Sequence, residues 1–175
     1  MNTREMKDFL RHRPRLAPFL IAVVSAGALA VALVSEHGFG LEPCVLCFYQ
    51  RYAYAAALAI GLLGAAMGAS RFNAALFCLL GALALLAGGA IAGFHVGVEQ
   101  HWWKGTAGCH LPSIEQGMTV DELRAVLEAR DSVTPCDEVP WSLFGISMAG
   151  YNFIVSLILA GAALFAASAL WRQPR

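Results

Sequence analysis

The sequence predicts an all-α membrane protein, an antiparallel four-transmembrane-helix bundle with a short amphipathic helix in its second outward-facing loop. Hydrophobic residues make up 58% of the 175 residues and charged residues only 14%. The charges are also clustered, so that long apolar stretches lie between them. A hydrocarbon core about 30 Å thick is crossed by roughly 20 apolar residues in a helix. A single membrane domain, 1–175, is therefore predicted, with spans at about residues 16–34, 52–69, 73–97 and 144–170.

The placement of the basic residues predicts the orientation of these spans. Basic residues lie in the N-terminal tail, in the turn after the second span and in the C-terminal tail: Arg4, Lys7, Arg11, Arg13, Arg15, Arg71, Arg172 and Arg175. Short basic segments stay in the cytoplasm. We therefore expect both termini to be cytoplasmic, and the loops at about 35–51 and 98–143 to face outward. The formal net charge of zero says nothing about nucleic acid, and no such partner is expected.

The second loop contains a helix signal of its own. Thr119 and Glu122 have the spacing of a capping box, and apolar residues then recur at helical spacing at Val120, Leu123, Val126 and Leu127. The helix of about ten residues that this predicts is too short to cross a membrane. It either lies on the membrane surface or packs on the rest of the domain.

Small residues recur within the predicted spans. Gly64 and Gly68 are four residues apart in the second span, and Gly89, Gly93 and Gly97 have the same spacing in the third. Small residues at this spacing let membrane helices approach one another closely. The pattern therefore predicts a compact bundle and indicates packing rather than chemistry.

Four of the five cysteines are predicted to lie in the outward loops, and one inside a membrane span. Cys44, Cys47, Cys109 and Cys136 all fall in the two outward loops, where disulfides are permitted on the non-cytoplasmic side of a membrane. Cys78 falls inside the third span and is predicted to be a small, buried apolar residue.

The stretch LEPCVLCFYQR, residues 41–51, predicts a reactive dithiol. Pro43 suits the first turn of a helix, which would place Cys44 and Cys47 in that turn, where unpaired N–H groups and the helix dipole favour the thiolate. Arg51 would lie on the same face, where its charge would lower the thiol pKa further. An arginine just inside an apolar run is costly and usually functional.

Other uses of a Cys-x-x-Cys pair fit less well. A c-type haem motif needs histidine directly after the second cysteine, where this chain has Phe48. Zinc held by all four loop cysteines has the right ligand number, but Cys109 and Cys136 are too far apart in sequence to form the usual short second pair. No metal is therefore expected. Two purely structural disulfides rank second to a dithiol that cycles with a disulfide.

A redox pair at a membrane surface needs an electron acceptor, and a lipid-soluble carrier is the natural one. Such a carrier would sit near Cys47, with Arg51 polarising a carbonyl oxygen. His95 and His101, near the end of the third span, are further candidates for contact with it, although packing or interfacial roles are more common for such histidines.

On these motifs the chain resembles the disulfide bond formation protein B (DsbB) family, quinone-linked thiol oxidases of the bacterial inner membrane. LEPCVLCFYQR is the most specific piece, and AGFHVGVEQHWW, residues 92–103, also matches. The four spans and the loop cysteines follow the family's order, so the resemblance covers nearly the whole chain. It implies a multi-pass inner-membrane oxidoreductase that re-oxidises a periplasmic, thioredoxin-fold DsbA-like partner, passes the electrons to ubiquinone or menaquinone, and so generates disulfide bonds de novo.

The resemblance also implies a role for each site residue. Cys109 and Cys136 would form the disulfide presented to the partner, and Cys109 would form the mixed disulfide with it. Cys136 would then exchange with Cys44. Cys47 would face the quinone and form an adduct with it, which Arg51 would stabilise.

Some positions depart from the family pattern, and two rival functions remain open. Gln50 stands where some relatives have an acidic residue, and the family's quinone-side histidine does not align cleanly with His95, Gln100 or His101. A vitamin K epoxide reductase-like enzyme also combines four helices, a quinone and two cysteine pairs, but its loop pair precedes the Cys-x-x-Cys. The second rival is a non-enzymatic membrane protein with structural disulfides or zinc.

Overall fold

The computed structural model describes residues 2–106, 109, 119–122, 124 and 134–171. Its helices are α1 (Thr3–His12), α2 (Leu16–Phe39), α3 (Val45–Met67), α4 (Arg71–Glu99) and α5 (Met148–Trp171). Two short antiparallel strands, β1 (Ser142–Leu143) and β2 (Ile146–Ser147), precede α5.

The predicted all-α membrane bundle is confirmed, since α2, α3, α4 and α5 are all long and apolar enough to cross a membrane. The helices extend beyond the predicted spans: α2 continues to Phe39, and α3 begins at Val45 rather than near residue 52. The predicted spans end at charged residues, whereas the helical backbone continues past them, and Glu36 and Arg51 pair with each other between the two helices. Cys47 and Arg51 therefore belong to α3 and not to the preceding loop.

Successive spans run in opposite directions, and this gathers the chemistry at one end of the bundle. Helix α4 packs against both α3 and α5, and α2 packs against α3. The ends of α2 and α4 consequently meet the beginnings of α3 and α5. We call this the cysteine end, because Cys44 precedes α3 there.

Glycines and alanines bring the helices into close contact, as the four-residue spacing predicted. A Cβ atom on Gly61 of α3 would lie 2.7 Å from the backbone nitrogen of Ala22 and 2.8 Å from the carbonyl oxygen of Pro18 in α2. On the other side of the bundle, a Cβ on Gly89 or Gly93 would meet side chains of α5 at 3.3 and 3.0 Å. The core around these contacts is rich in alanine, which allows α4 to lie between α3 and α5.

The opposite end of the bundle is held by α1. Arg11 Nε donates a hydrogen bond to the carbonyl oxygen of Ala169 near the end of α5, at 3.0 Å. The ammonium group of Lys7 lies 5.6 Å from the centre of the Phe165 ring. The basic N-terminal helix is thereby placed beside the end of α5, so that the two terminal segments lie on one side of the bundle.

A two-residue turn between β1 and β2 positions the start of α5. Phe144 and Gly145 have φ angles of 51° and 75°, as a type I′ hairpin turn requires at both central positions. The hairpin leads into Ser147, directly ahead of α5. The Ser147 hydroxyl donates a hydrogen bond to Glu99 at the end of α4.

The predicted capping box in the second loop is present. Glu122 N–H donates to Thr119 Oγ1 at 3.3 Å, and Thr119 N–H donates to Glu122 Oε2 at 2.8 Å. Residues 120–122 and Arg124 are helical, so the structure shows the start of the amphipathic helix. The remaining apolar residues of that prediction, Leu123, Val126 and Leu127, lie outside the described residues.

Gly61→Ala is expected to destabilise the bundle, because the added methyl group meets helix backbone, which cannot move aside as a flexible side chain can. The expected loss in the free energy of unfolding is about 1–3 kcal/mol, as for other overpacked interiors. Denaturant unfolding in detergent measures it. Gly27→Ala is the matched control: a Cβ there meets nothing within 4 Å. Equal stability of the two variants would contradict the close α2–α3 contact.

Candidate redox site

Cys44 caps the beginning of α3 with its sulfur. Its backbone is extended, with φ −75° and ψ 171°, and Sγ accepts a hydrogen bond from Cys47 N–H at 3.4 Å. The prediction that Pro43 and Cys44 lie within the first helical turn is wrong, since the helix begins at Val45. The cap position suits a side chain that accepts from the unpaired N–H groups of the first turn. The two thiol sulfurs lie 3.0 Å apart.

A histidine and a glutamate from α4 enclose the Cys44 sulfur on the other side. His95 is 4% exposed, and its Nε2 lies 3.6 Å from Cys44 Sγ. Glu99, one helical turn later, has Oε1 3.9 Å from the same nitrogen. Ser147 donates a hydrogen bond to the other carboxylate oxygen of Glu99. Cys44 is therefore buried. The Cys47 thiol and the His95 ring can donate hydrogen bonds to its sulfur, and His95 and Glu99 form a titratable pair beside it.

These contacts hold the Cys44 thiol in its ionised form. Its pKa is lowered from 9.0 to about 4, and the largest cause is the hydrogen bond from the Cys47 thiol. The hydrogen bond and charge of His95 also lower the pKa, whereas burial opposes both. The sequence predicts that the helix terminus and Arg51 lower the pKa of these thiols. At Cys44 the structure instead shows Cys47 and His95 as the main partners.

Arg51 lies at the contact between α2 and α3. Its guanidinium donates to the carboxylate of Glu36 and to the carbonyl oxygen of Ala32 at 3.3 Å, and it lies 5.5 Å from the centre of the Phe48 ring. It is also near enough to Cys47 to act on that thiol electrostatically. Sequence reasoning missed Glu36 as the partner, because nothing in α2 indicates which residue of α3 it meets.

A chain of buried polar side chains links α3, α4 and α5. Gln50 Nε2 donates to His95 Nδ1 at 3.0 Å, and Gln50 Oε1 accepts from Asn152 Nδ2. Ser156 Oγ donates to Asn152 Oδ1 at 3.2 Å and lies 3.0 Å from the Tyr54 hydroxyl. The sequence indicates Gln50 only as a departure from the family pattern, and it gives no signal for Asn152. Both are central to this network.

The second cysteine pair is a disulfide between Cys109 and Cys136. The two residues are 1% and 0% exposed, and they share a buried cluster with Cys44, Leu46 and Val98. The two cysteine pairs are therefore brought together at the cysteine end. A zinc site made of all four thiolates does not fit, because two of the sulfurs are bonded to each other. Cys78, as predicted, is fully buried in the α4 core.

A smaller set of metal donors exists, but its hydrogen bonding does not favour a metal. The donor atoms of Cys44, Cys47 and His95 all lie within 4.8 Å of one another. A histidine nitrogen must be unprotonated to bind a metal. Because Gln50 donates to Nδ1, the proton of a neutral ring is on Nε2, the nitrogen that faces Cys44.

Of the two histidines considered as contacts for a carrier, only His95 belongs to the site. His101 is exposed, has a φ of 59° and places Nδ1 3.1 Å from the backbone oxygen of Glu99. Gln100, the residue between Glu99 and His101, is also exposed. Sequence spacing could not separate these positions, because the end of α4 falls among them.

Comparison with known proteins decides the family. The family model described as disulfide bond formation protein DsbB matches residues 14–166. The chain belongs to the DsbB family. A protein named Disulfide bond formation protein B from Marinobacter nauticus is 33% identical over 83% of this chain and 87% of its own length. Proteins of the same name from Herminiimonas arsenicoxydans and Xanthomonas axonopodis pv. citri are each 32% identical, over 81% and 86% of this chain and 87% and 88% of their own lengths.

Membership of the DsbB family makes this protein a membrane-embedded oxidoreductase of disulfide bond formation. Four helices that can cross a membrane agree with a multi-pass protein. The vitamin K epoxide reductase-like rival is set aside, since the family match spans most of the chain.

Reduced Cys44 is expected to remain a thiolate in mildly acidic solution. With a pKa of about 4, its thiolate ultraviolet absorbance should be fully present by about pH 6, whereas an ordinary thiol reaches that state only above about pH 9. The depressed pKa also stabilises the folded reduced protein above the unfolded pKa, and that stabilisation is lost as the pH falls toward 4. Cys44→Ser should remove the absorbance at pH 6 and Cys78→Ser should not; equal spectra at pH 6 would exclude a Cys44 thiolate.

Glu36→Gln is expected to destabilise the contact between α2 and α3, because it leaves the half-buried Arg51 guanidinium without its counter-ion. The free energy of unfolding should therefore fall, as measured by denaturant unfolding in detergent. Glu42→Gln, at an exposed glutamate of the same connection, is the control and should change stability by less than about 0.5 kcal/mol. Equal losses in both variants would argue against a structural Glu36–Arg51 pair.

Proposed function

We propose that this DsbB-family protein oxidises the dithiol of a periplasmic DsbA-like thioredoxin-fold partner and passes the electrons to a membrane quinone. The observation that carries the proposal is the burial of the Cys109–Cys136 disulfide in one cluster with Cys44. A disulfide and a second cysteine pair in contact with each other can exchange bonds without a large movement of the backbone. The relatives' shared name, Disulfide bond formation protein B, describes the same outcome.

The proposed orientation places the cysteine end in the periplasm of a bacterial inner membrane. Basic residues concentrate in α1 at the other end, and Arg11 joins α1 to the end of α5. Both termini would then be cytoplasmic, as the positive-inside rule favours. The second loop, with Cys109 and Cys136, would face a periplasmic partner.

Thiol–disulfide exchange between the pairs accounts for the first electron transfer. A partner thiolate attacks Cys109 Sγ, so the bond to Cys136 breaks and its electron pair goes to the Cys136 sulfur. The Cys136 thiolate then attacks Cys44 Sγ of an oxidised Cys44–Cys47 pair. A bond forms between Cys136 and Cys44, and Cys47 leaves with the electron pair. Two electrons from the partner have then reached the sulfur of Cys47, which lies one helical turn before Arg51.

The surroundings of Cys47 fit a quinone better than those of Cys44. Cys47 is half-buried, whereas Cys44 is buried, and Phe48 beside it is exposed. The Arg51 guanidinium lies 5.5 Å from the centre of the Phe48 ring. An exposed aromatic side chain with one adjacent cation suits a flat ring that bears carbonyl oxygens.

Arg51 and Cys47 are the residues that would hold the quinone head group. When bound, ubiquinone or menaquinone supplies the two-electron acceptor that the thiols need. The Arg51 guanidinium would donate to a carbonyl oxygen, and Glu36 would fix the direction of that guanidinium. Cys47 would carry the charge that faces the ring.

Anaerobic turnover of the purified full chain in detergent tests the proposed function. Reduced DsbA-like protein and excess ubiquinone analogue are mixed with the enzyme, and quinone absorbance and partner thiols are followed together. We expect one quinone to be reduced for each dithiol oxidised, and Cys47→Ser to abolish both signals, since the electrons then have no route from Cys44.

Cys78→Ser is the matched control, because Cys78 is a buried cysteine of the α4 core outside the two pairs. It should turn over at the wild-type rate. Wild-type protein that changes neither signal at any partner concentration would overturn the function. Quinone reduction that persists in Cys47→Ser would overturn the assignment of Cys47.

A further inference from the structure

A second group of charged side chains lies at the end of the bundle opposite the cysteine end, where α1 is joined to α2. The connection consists of Arg13, Pro14 and Arg15. Arg13 N–H donates to carbonyl oxygens in the last turn of α1, and the Arg13 carbonyl oxygen accepts from Leu16 N–H at 3.0 Å. Backbone hydrogen bonds and the proline ring therefore fix this turn, with an arginine on each side of the proline.

The turn borders an open depression of about 360 Å³ that also reaches the connection between α3 and α4. Its lining combines two arginines and a histidine with apolar residues: His12, Arg13, Pro14, Arg15, Leu16 and Ala69. Among the described residues, no carboxylate lines it. We call this feature the arginine depression.

The two arginines of the depression have a positive charge that their surroundings do not neutralise. The acidic residues of α1 are engaged elsewhere, since Glu5 accepts a backbone hydrogen bond at the beginning of the helix and Asp8 pairs with Arg11 at 3.3 Å. In the described part of the chain, neither Arg13 nor Arg15 forms an ion pair with a carboxylate. Arg15 is also the N-cap of α2, whose first turn has no acidic residue, so the helix dipole adds to the positive charge. The depression therefore favours an anion.

Aromatic residues indicate that the depression lies at the depth of the lipid headgroups. Phe72 at the beginning of α4 and Trp171 at the end of α5 are both exposed, and their ring centres lie 5.2 Å apart. Exposed aromatic residues at the ends of membrane-spanning helices mark the boundary between hydrocarbon and water. Phe9 of α1 is exposed as well, and the Arg13 guanidinium lies 5.7 Å from the centre of its ring. The abundant anion at this depth is the phosphate of a lipid headgroup.

We propose that the arginine depression binds the phosphate of an anionic phospholipid, with Arg13 and Arg15 as the residues that contact it. Guanidinium groups donate paired hydrogen bonds to phosphate oxygens, and basic pockets between membrane helices suit such headgroups. The apolar surfaces of Pro14, Leu16 and Ala69 would meet the glycerol and the beginning of the acyl chains. The lipid would join the turn between α1 and α2 to the turn between α3 and α4. The site is separate from the thiols, so the inference does not depend on the proposed function.

Native mass spectrometry of the purified full chain measures this binding directly, because it counts the lipids that each chain retains. Protein in a non-ionic detergent is titrated with phosphatidylglycerol, with phosphatidylcholine and with inorganic phosphate. The choline group of phosphatidylcholine neutralises its phosphate, and inorganic phosphate has no acyl chains. We expect one phosphatidylglycerol to bind at least about ten-fold more tightly than either of the other two probes.

Arg13→Gln and Arg15→Gln each remove one charge and keep a polar side chain. Each is expected to weaken phosphatidylglycerol binding about five-fold, the contribution of one basic residue near an anionic headgroup, and the double variant about 30-fold. Arg4→Gln is the matched control, since it removes the same charge from an exposed position of α1, roughly 13 Å along the helix from Arg13. It should change the affinity by less than about two-fold, because the distance exceeds the range of screened charges.

Thermal unfolding in detergent is a second readout. Phosphatidylglycerol should raise the unfolding temperature of the wild type more than phosphatidylcholine does, because a ligand that binds only the folded protein stabilises it. The double variant should unfold at the wild-type temperature in phosphatidylcholine, which shows that it folds, and should lose the additional gain. If the double variant is less stable in phosphatidylcholine, the two single variants decide the question.

Several results would overturn the inference. Equal affinity of the wild type for phosphatidylglycerol and phosphatidylcholine would exclude an anionic headgroup site. Equal losses of affinity in Arg4→Gln and Arg13→Gln would indicate attraction to the overall charge of α1 instead of a site. Inorganic phosphate that binds as tightly as phosphatidylglycerol would make a free anion the occupant and would exclude the lipid. Each of these results leaves the thiol chemistry untouched, since none of the variants lies near the cysteines.

Discussion

The exclusion of unpaired polar groups from hydrocarbon is the constraint on which the arrangement of this site depends. Gln50, His95 and Ser156 are buried within helices that can span a membrane, where each unsatisfied polar group costs several kcal/mol. Their side chains consequently bond to one another across three helices. Each amide or ring in this hydrogen-bond chain must present a donor to an acceptor. Which group donates and which accepts in each hydrogen bond is therefore determined by the neighbouring bonds. At the end of the hydrogen-bond chain, these bonds place the proton of a neutral His95 ring on Nε2, which faces Cys44.

Such a chain requires helices that are close together and fixed in register. Alanine and glycine on α4 provide the closeness: Gly89 and Gly93 lie against α5, and the alanine core lies against α3. A one-residue rotation of α4 would turn His95 by about 100° and break its contacts with both Gln50 and Cys44. Packing at residues without any chemistry therefore determines the reactivity of a thiol on a different helix.

The sequence was informative where a signal is local to one segment. Long apolar runs predicted the spans, and Thr119 with Glu122 predicted a helix start from a four-residue pattern. The cysteine spacing likewise predicted a reactive pair, although not its cap geometry. The contacts of Glu36 with Arg51 and of Asn152 with Gln50 were not predictable in this way. Spans that are apolar on every side have no polar face to show which residues of two helices meet, and such partners become visible only in three dimensions.

The two thiols of the Cys-x-x-Cys pair have different surroundings, and the difference matches what exchange chemistry demands. In the proposed exchange each sulfur is a leaving group at one stage: Cys47 when Cys136 attacks Cys44, and Cys44 when its bond to Cys136 is broken. A leaving thiolate departs faster when its charge is stabilised. The structure provides a separate partner for each, with His95 at Cys44 and Arg51 acting on Cys47. The histidine offers the buried sulfur a hydrogen bond, whereas the arginine, which is always charged, keeps a permanent positive charge beside the sulfur nearer the lipid.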